Sequence, residues 1–126
     1  MREIVLDTET TGLDPKMGHR LVEIGAVELI NHTPTGVNYQ TYINPERDVD
    51  PGAQEIHGLT NEFLKQHPAF GDISAEFMSF LSDSTLIIHN APFDLAFINM
   101  ELSRLEVTPI SSERVIDTLV LARKKF

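Results

Sequence analysis

The sequence predicts an α/β domain on a mixed sheet, and three observations predict it. Three strand-like segments come first, a turn suited to a hairpin joins the second to the third, and helix and strand patterns then alternate along the rest of the chain. Ile4-Val5-Leu6 is an apolar, β-branched run that ends in polar Asp7-Thr8-Glu9-Thr10-Thr11-Gly12 and reads as the first strand. Leu21 to Ile30 is a longer second strand with Glu23 and Glu28 inside an apolar stretch. Asn31-His32-Thr33-Pro34-Thr35-Gly36 is turn-like, and Val37 to Asn44 alternates as a third strand, with Val37, Tyr39, Thr41 and Ile43 on one face. Pro45 to Gly58 is punctuated by Pro and Gly and reads as irregular, and a short helix is expected near Asn61–Gln66. Ile73, Phe77, Phe80 and Leu81 share one helical face, with Asp72 as the expected N-cap. Thr85–Ile88 is a buried fourth strand. Pro92 then suits the first position of a helix that continues through Phe93–Leu105. Arg114-Val115-Ile116 is a fifth strand, and Asp117 caps a last helix whose Arg123-Lys124-Lys125 end suits the helix dipole.

The 126 residues suffice for one domain, placed at 1–126. Lys and Arg number 10 and Asp and Glu 19, so the net charge is 10 − 19 = −9. That excludes a generic basic nucleic-acid binder, so any nucleic-acid contact needs a local site, a bridging cation or a partner. With no Cys there are no disulfides, zinc–thiolate sites or cysteine nucleophiles. The apolar run after Met1 is too short for a signal peptide or membrane span, so no membrane and a cytoplasmic location are expected.

Asp7 and Glu9 are the most informative residues. Residues i and i+2 of a strand share a face, roughly 6–7 Å apart. Two charges about 4 Å apart repel by roughly 4 kcal/mol at an effective dielectric near 20. Either one acid takes up a proton or a cation sits between them, and Mg²⁺ or Mn²⁺ suits such oxygen ligands. The bland alternative is a pair of solvated acids at a strand end. A calcium loop starting at Asp7 fails, because its twelfth position would be Gly18 instead of Glu. Asp94 follows the buried fourth strand, in the first turn of a helix; alone it is an ordinary capping acid. Yet ligands bind at the carboxyl ends of strands in α/β sheets. Asp7, Glu9 and Asp94 can therefore converge on one site that serves two divalent cations.

Asp7-Thr8-Glu9-Thr10-Thr11-Gly12-Leu13 resembles the first motif of the DEDD-type 3′→5′ exonucleases, and His89-Asn90-Ala91-Pro92-Phe93-Asp94 resembles the second. Ile56-His57-Gly58-Leu59-Thr60 is similar to their nucleotide-contacting loop. Glu23–Val27, Val49-Asp50-Pro51, Glu76-Phe77-Met78 and Asp117-Thr118-Leu119 also fit, most closely the epsilon-type proofreading branch that serves bacterial DNA polymerase III. The resemblance spans essentially the whole chain. It implies an RNase H-like fold, with Asp7, Glu9 and Asp94 as catalytic residues and as ligands of two Mg²⁺ or Mn²⁺ ions. It also implies a DNA 3′ end as substrate and a DNA polymerase catalytic subunit as partner. Thr10 and Thr11 would approach the terminal nucleotide beside Asp7 and Glu9. Leu13 would wedge against the last base pair, His57 would contact the nucleotide, and Asn90 and Phe93 would seat the strand.

The same family has a third motif on a later helix, a His that activates water and an Asp five residues on. His67 stands at that distance from Asp72, but Pro68 and Gly71 between them prevent a shared regular helix turn. The third motif is therefore expected beyond Phe126, leaving the fold C-terminally incomplete and the two-metal site short of a ligand. Three expectations follow from that. The chain alone would be inactive or nearly so, part of the sheet would be uncovered, and the exposed patch would promote self-association. Two other readings stay open, a non-catalytic nuclease-like module that binds a polymerase or nucleotide and an exonuclease acting on RNA ends. A plain acidic α/β domain would bind no Mn²⁺.

Overall fold

The computed structural model describes residues 1–125, with side chains through Lys124. Its sheet has five strands: β1 (Arg2–Thr10), β2 (Leu21–Ile30), β3 (Thr33–Tyr42), β4 (Thr85–Ile88) and β5 (Val115–Asp117). They lie in the order β3-β2-β1-β4-β5. β1, β2 and β3 pair antiparallel, whereas β4 runs parallel to β1 and β5 parallel to β4. The helices are α1 (Pro51–His57), α2 (Asn61–Leu64), α3 (Phe70–Leu81), α4 (Ala91–Arg104) and α5 (Thr118–Lys125). This is the mixed sheet that the sequence predicts.

One sheet face carries the core. Ile4 and Leu6 of β1, Ile24 and Ala26 of β2, and Leu86 and Ile88 of β4 are buried against Phe70, Ile73, Phe77 and Leu81 of α3 and Phe97, Ile98 and Leu102 of α4. Full burial of side chains of this size stabilises by about 1.5–3 kcal/mol each, which fixes the strand register. The alternate residues of β1 therefore point the other way, and these include Asp7 and Glu9. On that second face Val5 pairs with Val27 and Ile87 with Ile116. Val5, Val27 and Ile116 remain 38%, 37% and 37% exposed. An apolar stripe across four strands should bind a hydrophobic dye and self-associate at micromolar concentration. A monomer in sedimentation that leaves the dye dark would contradict this.

Several elements differ from expectation. β1 continues through Thr10, so Asp7 and Glu9 lie inside a paired strand, opposite Gly25 and Glu23. The hairpin turn is only Asn31-His32, both at positive φ, and β3 starts at Thr33 instead of Val37. Residues 51–57 are helical, not irregular: Pro51 takes an early helical position after Asp50, and Gly58 ends the helix in the left-handed conformation. Asp72 does not cap α3. Ala69 does, and Asp72 reaches back from the third helical position to the Ala69 N–H at 3.2 Å. Pro92 is the second residue of α4, which begins at Ala91. Among the described residues no helix is long and apolar enough to cross a membrane.

Candidate active site

The parallel pairing of β1 with β4 brings their carboxyl ends together, and the site grows from that junction. Asp7 and Glu9 project from β1. α4 starts two residues after β4 and presents Asp94 in its first turn. Asp94 is buried, 6% exposed. Burial foremost, then the charges of Asp7, Glu9 and Asp117, pushes its carboxyl up to about 7, although the nearby Thr8 hydroxyl lowers it. Thr8 completes no hydrogen bond there, so a buried hydroxyl is left without a partner beside the acid. Glu9 is raised as well, by burial first and then by Asp7, with His57 lowering it and Glu23 adding to the rise. The charges on β1 thus add to burial in raising Asp94.

All the donors are carboxylate or hydroxyl oxygens, the ligand class of Mg²⁺ and Mn²⁺. A cation would relieve the mutual repulsion that adds to burial in raising Asp94 and Glu9, so the donor chemistry fits. The cage is not closed as it stands: among the described residues no three His, Asp or Glu side chains are grouped to hold an ion.

Beside the acids is a cleft of about 490 Å³, lined by Thr8, Glu9, Thr10, Gly12, Leu13, Phe93 and residues of α1. Leu13, in the loop after β1, and Ile56, on α1, both line it and are 82% and 81% exposed, which gives the cleft two apolar lips. His57 also lines it, but both its nitrogens are spent on backbone. Nδ1 accepts from the Leu59 N–H at 3.0 Å, so Nε2 carries the hydrogen and donates to the Thr10 carbonyl at 3.0 Å. The ring pins the end of α1 to β1.

Of the residues expected to meet a nucleotide, Thr10, Leu13, His57 and Phe93 line the cleft with Glu9. Asp7, Thr11 and Asn90 do not. Thr11 is fully buried and its polar groups are occupied: its N–H donates to the Arg20 carbonyl, its carbonyl accepts from Asp50 N–H, and its hydroxyl accepts from Arg20 N–H. Asn90 forms the exposed left-handed turn before α4.

Sequence reasoning missed a lock behind the cleft. The Thr11 hydroxyl lies 2.8 Å from His19 Nδ1, and His19 Nε2 lies 3.4 Å from Asp50 Oδ2. Because Arg20 N–H already donates to that hydroxyl, its own hydrogen is free to donate to Nδ1, which leaves the ring hydrogen facing Asp50. His19 joins the loop after β1 to the N-terminus of α1, and no local spacing signals it. His89 also stands five residues before an acid, Asp94. It lies outside α4, however, with Nδ1 3.0 Å from the Thr118 hydroxyl, and does not form the expected helical pair. His67 packs on Tyr42 and Phe63.

The exonuclease family (RNase_T) matches residues 4–126. The chain belongs to this family. The exonuclease relatives include the DNA polymerase III subunit epsilon of Rickettsia felis, 57% identical over 129 residues that cover all of this chain and 56% of that protein. Among solved structures, Exonuclease X in complex with 5′ overhanging duplex DNA is 25% identical with a TM-score of 0.74, over 98% of this chain and 64% of that one. E. coli exonuclease I in complex with a dT13 oligonucleotide superposes with a TM-score of 0.86 at 20% identity, over 98% of this chain and 29% of that one. The fold is the RNase H-like α/β fold of these exonucleases, three antiparallel strands followed by parallel ones. The chain spans about half the length of the curated epsilon relatives it matches.

Proposed function

We propose that this exonuclease domain removes nucleotides from DNA 3′ ends in proofreading, beside a DNA polymerase catalytic subunit in the cytoplasm. One observation carries the reading: Asp94, buried at the start of α4, is raised to about 7 by burial and by the charges of Asp7 and Glu9 at the end of β1, where Glu9 lines the cleft. Asp7, Glu9 and Asp94 are the residues that would hold Mg²⁺ or Mn²⁺. Such ions supply a clamp on the attacking and leaving oxygens of a phosphodiester. The chain's own residues do the rest. The cleft takes the terminal nucleotide between the lips formed by Leu13 and Ile56, Phe93 and Thr10 wall it, and His57 holds α1 in place. The net charge of −9 disfavours generic gripping of the backbone, which supports affinity borrowed from a polymerase.

The domain spans 1–126, and the site holds three of the four carboxylates that the resemblance calls for. No described histidine occupies the base position. General-base catalysis contributes about 10²–10⁴-fold, so residues 1–126 alone should release nucleotides at least that much more slowly than a longer chain that carries the third motif. The assay follows mononucleotide release from a 3′-labelled single strand with Mn²⁺, for both lengths and for Asp7→Ala. Equal rates for the two lengths would refute the incomplete-site reading. Persistence of the longer protein's activity in Asp7→Ala would refute the metal reading. The missing base also favours a second reading, a non-catalytic module that binds a nucleotide or polymerase, and this predicts Mn²⁺-dependent binding without release at either length. Parallel substrates with RNA ends test the remaining alternative.

A further inference from the structure

We infer that Asp117 is a positioning residue for the acid cluster: its carboxylate, at the end of β5, holds the turn that delivers Asp94. The inference rests on the metal reading above and adds to it a residue that touches neither ion nor substrate.

α4 has no cap of its own. Asn90 occupies the N-cap position in the left-handed conformation, φ 60° and ψ 56°, and its side chain makes no capping bond. A non-glycine residue there costs of order 1 kcal/mol or more, and it persists only where its surroundings hold it. The next residue but one, Pro92, has no N–H to offer. The exposed donors of the turn are therefore Asn90 N–H and Ala91 N–H, and both donate to Asp117, to Oδ1 at 2.9 Å and to Oδ2 at 3.1 Å. The sheet register makes this possible, since Ile88 at the end of β4 pairs with Asp117. Oδ1 also accepts from Leu119 N–H at 2.9 Å. One carboxylate thus caps two helices, α5 within its own segment and α4 across the sheet. Bonds from N–H to an ionised acceptor are about twice as strong as neutral ones, enough to offset the strain at Asn90. Asp94 lies three residues after Ala91, in the same turn, so the seat of Asp94 is set by Asp117.

Asp117→Ser separates the two duties. Serine caps a helix well, so α5 keeps a cap, but its short side chain cannot reach Asn90 and Ala91. Asp117→Asn keeps the shape and turns either an N–H or a lone oxygen toward the two α4 donors. The experiment measures the Mn²⁺ dissociation constant by water-proton relaxation in this chain, for wild type, both variants, Asp94→Asn, and each Asp117 variant combined with Asp94→Asn; thermal melts check folding. Loss of a residue that orients a metal ligand weakens binding by about 10–100-fold, and that is the expected result for Asp117→Ser and, where it folds, Asp117→Asn. In the Asp94→Asn background the further loss should be under about twofold, because the effect passes through Asp94. Wild-type affinity in Asp117→Ser overturns the inference and leaves the metal reading intact. An equal loss with and without Asp94 also overturns it, since Asp117 would then act by another route. Absence of Mn²⁺ binding in the wild type overturns both.

Discussion

Asp94→Asn should weaken Mn²⁺ binding sharply but measurably and, at pH 8 without cations, make the protein more stable than wild type. Both effects have one cause. Asp94 sits where burial and neighbouring acids hold its carboxyl at about 7, against about 3.9 for an unfolded aspartate. Between those values the folded state keeps the proton better than the unfolded chain does, so wild-type stability falls as pH rises through that interval. Asparagine does not titrate. The two proteins should therefore diverge across pH 4–7 and run parallel above it, with a gap of about 1–2 kcal/mol after allowance for solvent screening. Mn²⁺ reverses the balance, because a ligand must lose its proton to bind. Wild-type affinity should rise up to about tenfold per pH unit below 7 and level off above it. Urea melts in chelator at pH 5 and pH 8, with Mn²⁺ titrations at both, test this. A variant no more stable than wild type at pH 8 would mean that the acid is not under electrostatic load. A gain there would show the site trading stability for function in the usual way.

The features legible in the sequence are those set by local period and punctuation. Asp7 and Glu9 share a face because strands repeat every two residues, and Asp94 lands in a first turn because Pro92 marks a helix start. The five strands and α3 are written in apolar spacing in the same way. α1 was obscured because Pro51, Gly52 and Gly58 resemble loop punctuation. Asp50-Pro51 before it and Gly58 after it are helix brackets, and they would have shown the helix had they been weighed together. Other features depend on residues far apart in the chain. Thr11, His19 and Asp50 meet only after β2 and α1 pack against the end of β1, and Asp117 reaches α4 only through the β4–β5 register. Neither arrangement has a spacing rule that a single sequence exposes. Thr11 is the complementary case: its place in the motif suggests a nucleotide contact, and the fold engages its polar groups internally, which local spacing does not reveal.

Gly12→Ala should be the most damaging small substitution near the cleft. The backbone there does not require glycine, because Gly12 is not among the positive-φ glycines. Space does. A methyl group on Gly12 would fall 2.4 Å from Cε1 and Nδ1 of His19 and 2.6 Å from Nε2. The obstacle is a ring held at both nitrogens, so it cannot give way without breaking its contacts to Thr11 and Asp50. Overpacking of this kind costs about 1–3 kcal/mol, and each hydrogen bond lost adds roughly 1 kcal/mol. For a chain of this size the melting temperature should fall by roughly 5–15 °C. The cleft should suffer as well, since Gly12, Leu13 and Asp50 line it and the lock ties the two walls together. Mn²⁺ affinity should change little, because Asp7, Glu9 and Asp94 lie on β1 and α4, outside the lock. Nucleotide affinity, measured with thymidine monophosphate and Mn²⁺, should drop about tenfold, the equivalent of about 1.4 kcal/mol. His19→Ala in the same chain removes the ring that the methyl group strikes, so the double variant should cost clearly less than the sum of the two single ones. Strict additivity would show that the clash with His19 is not what glycine avoids at this position.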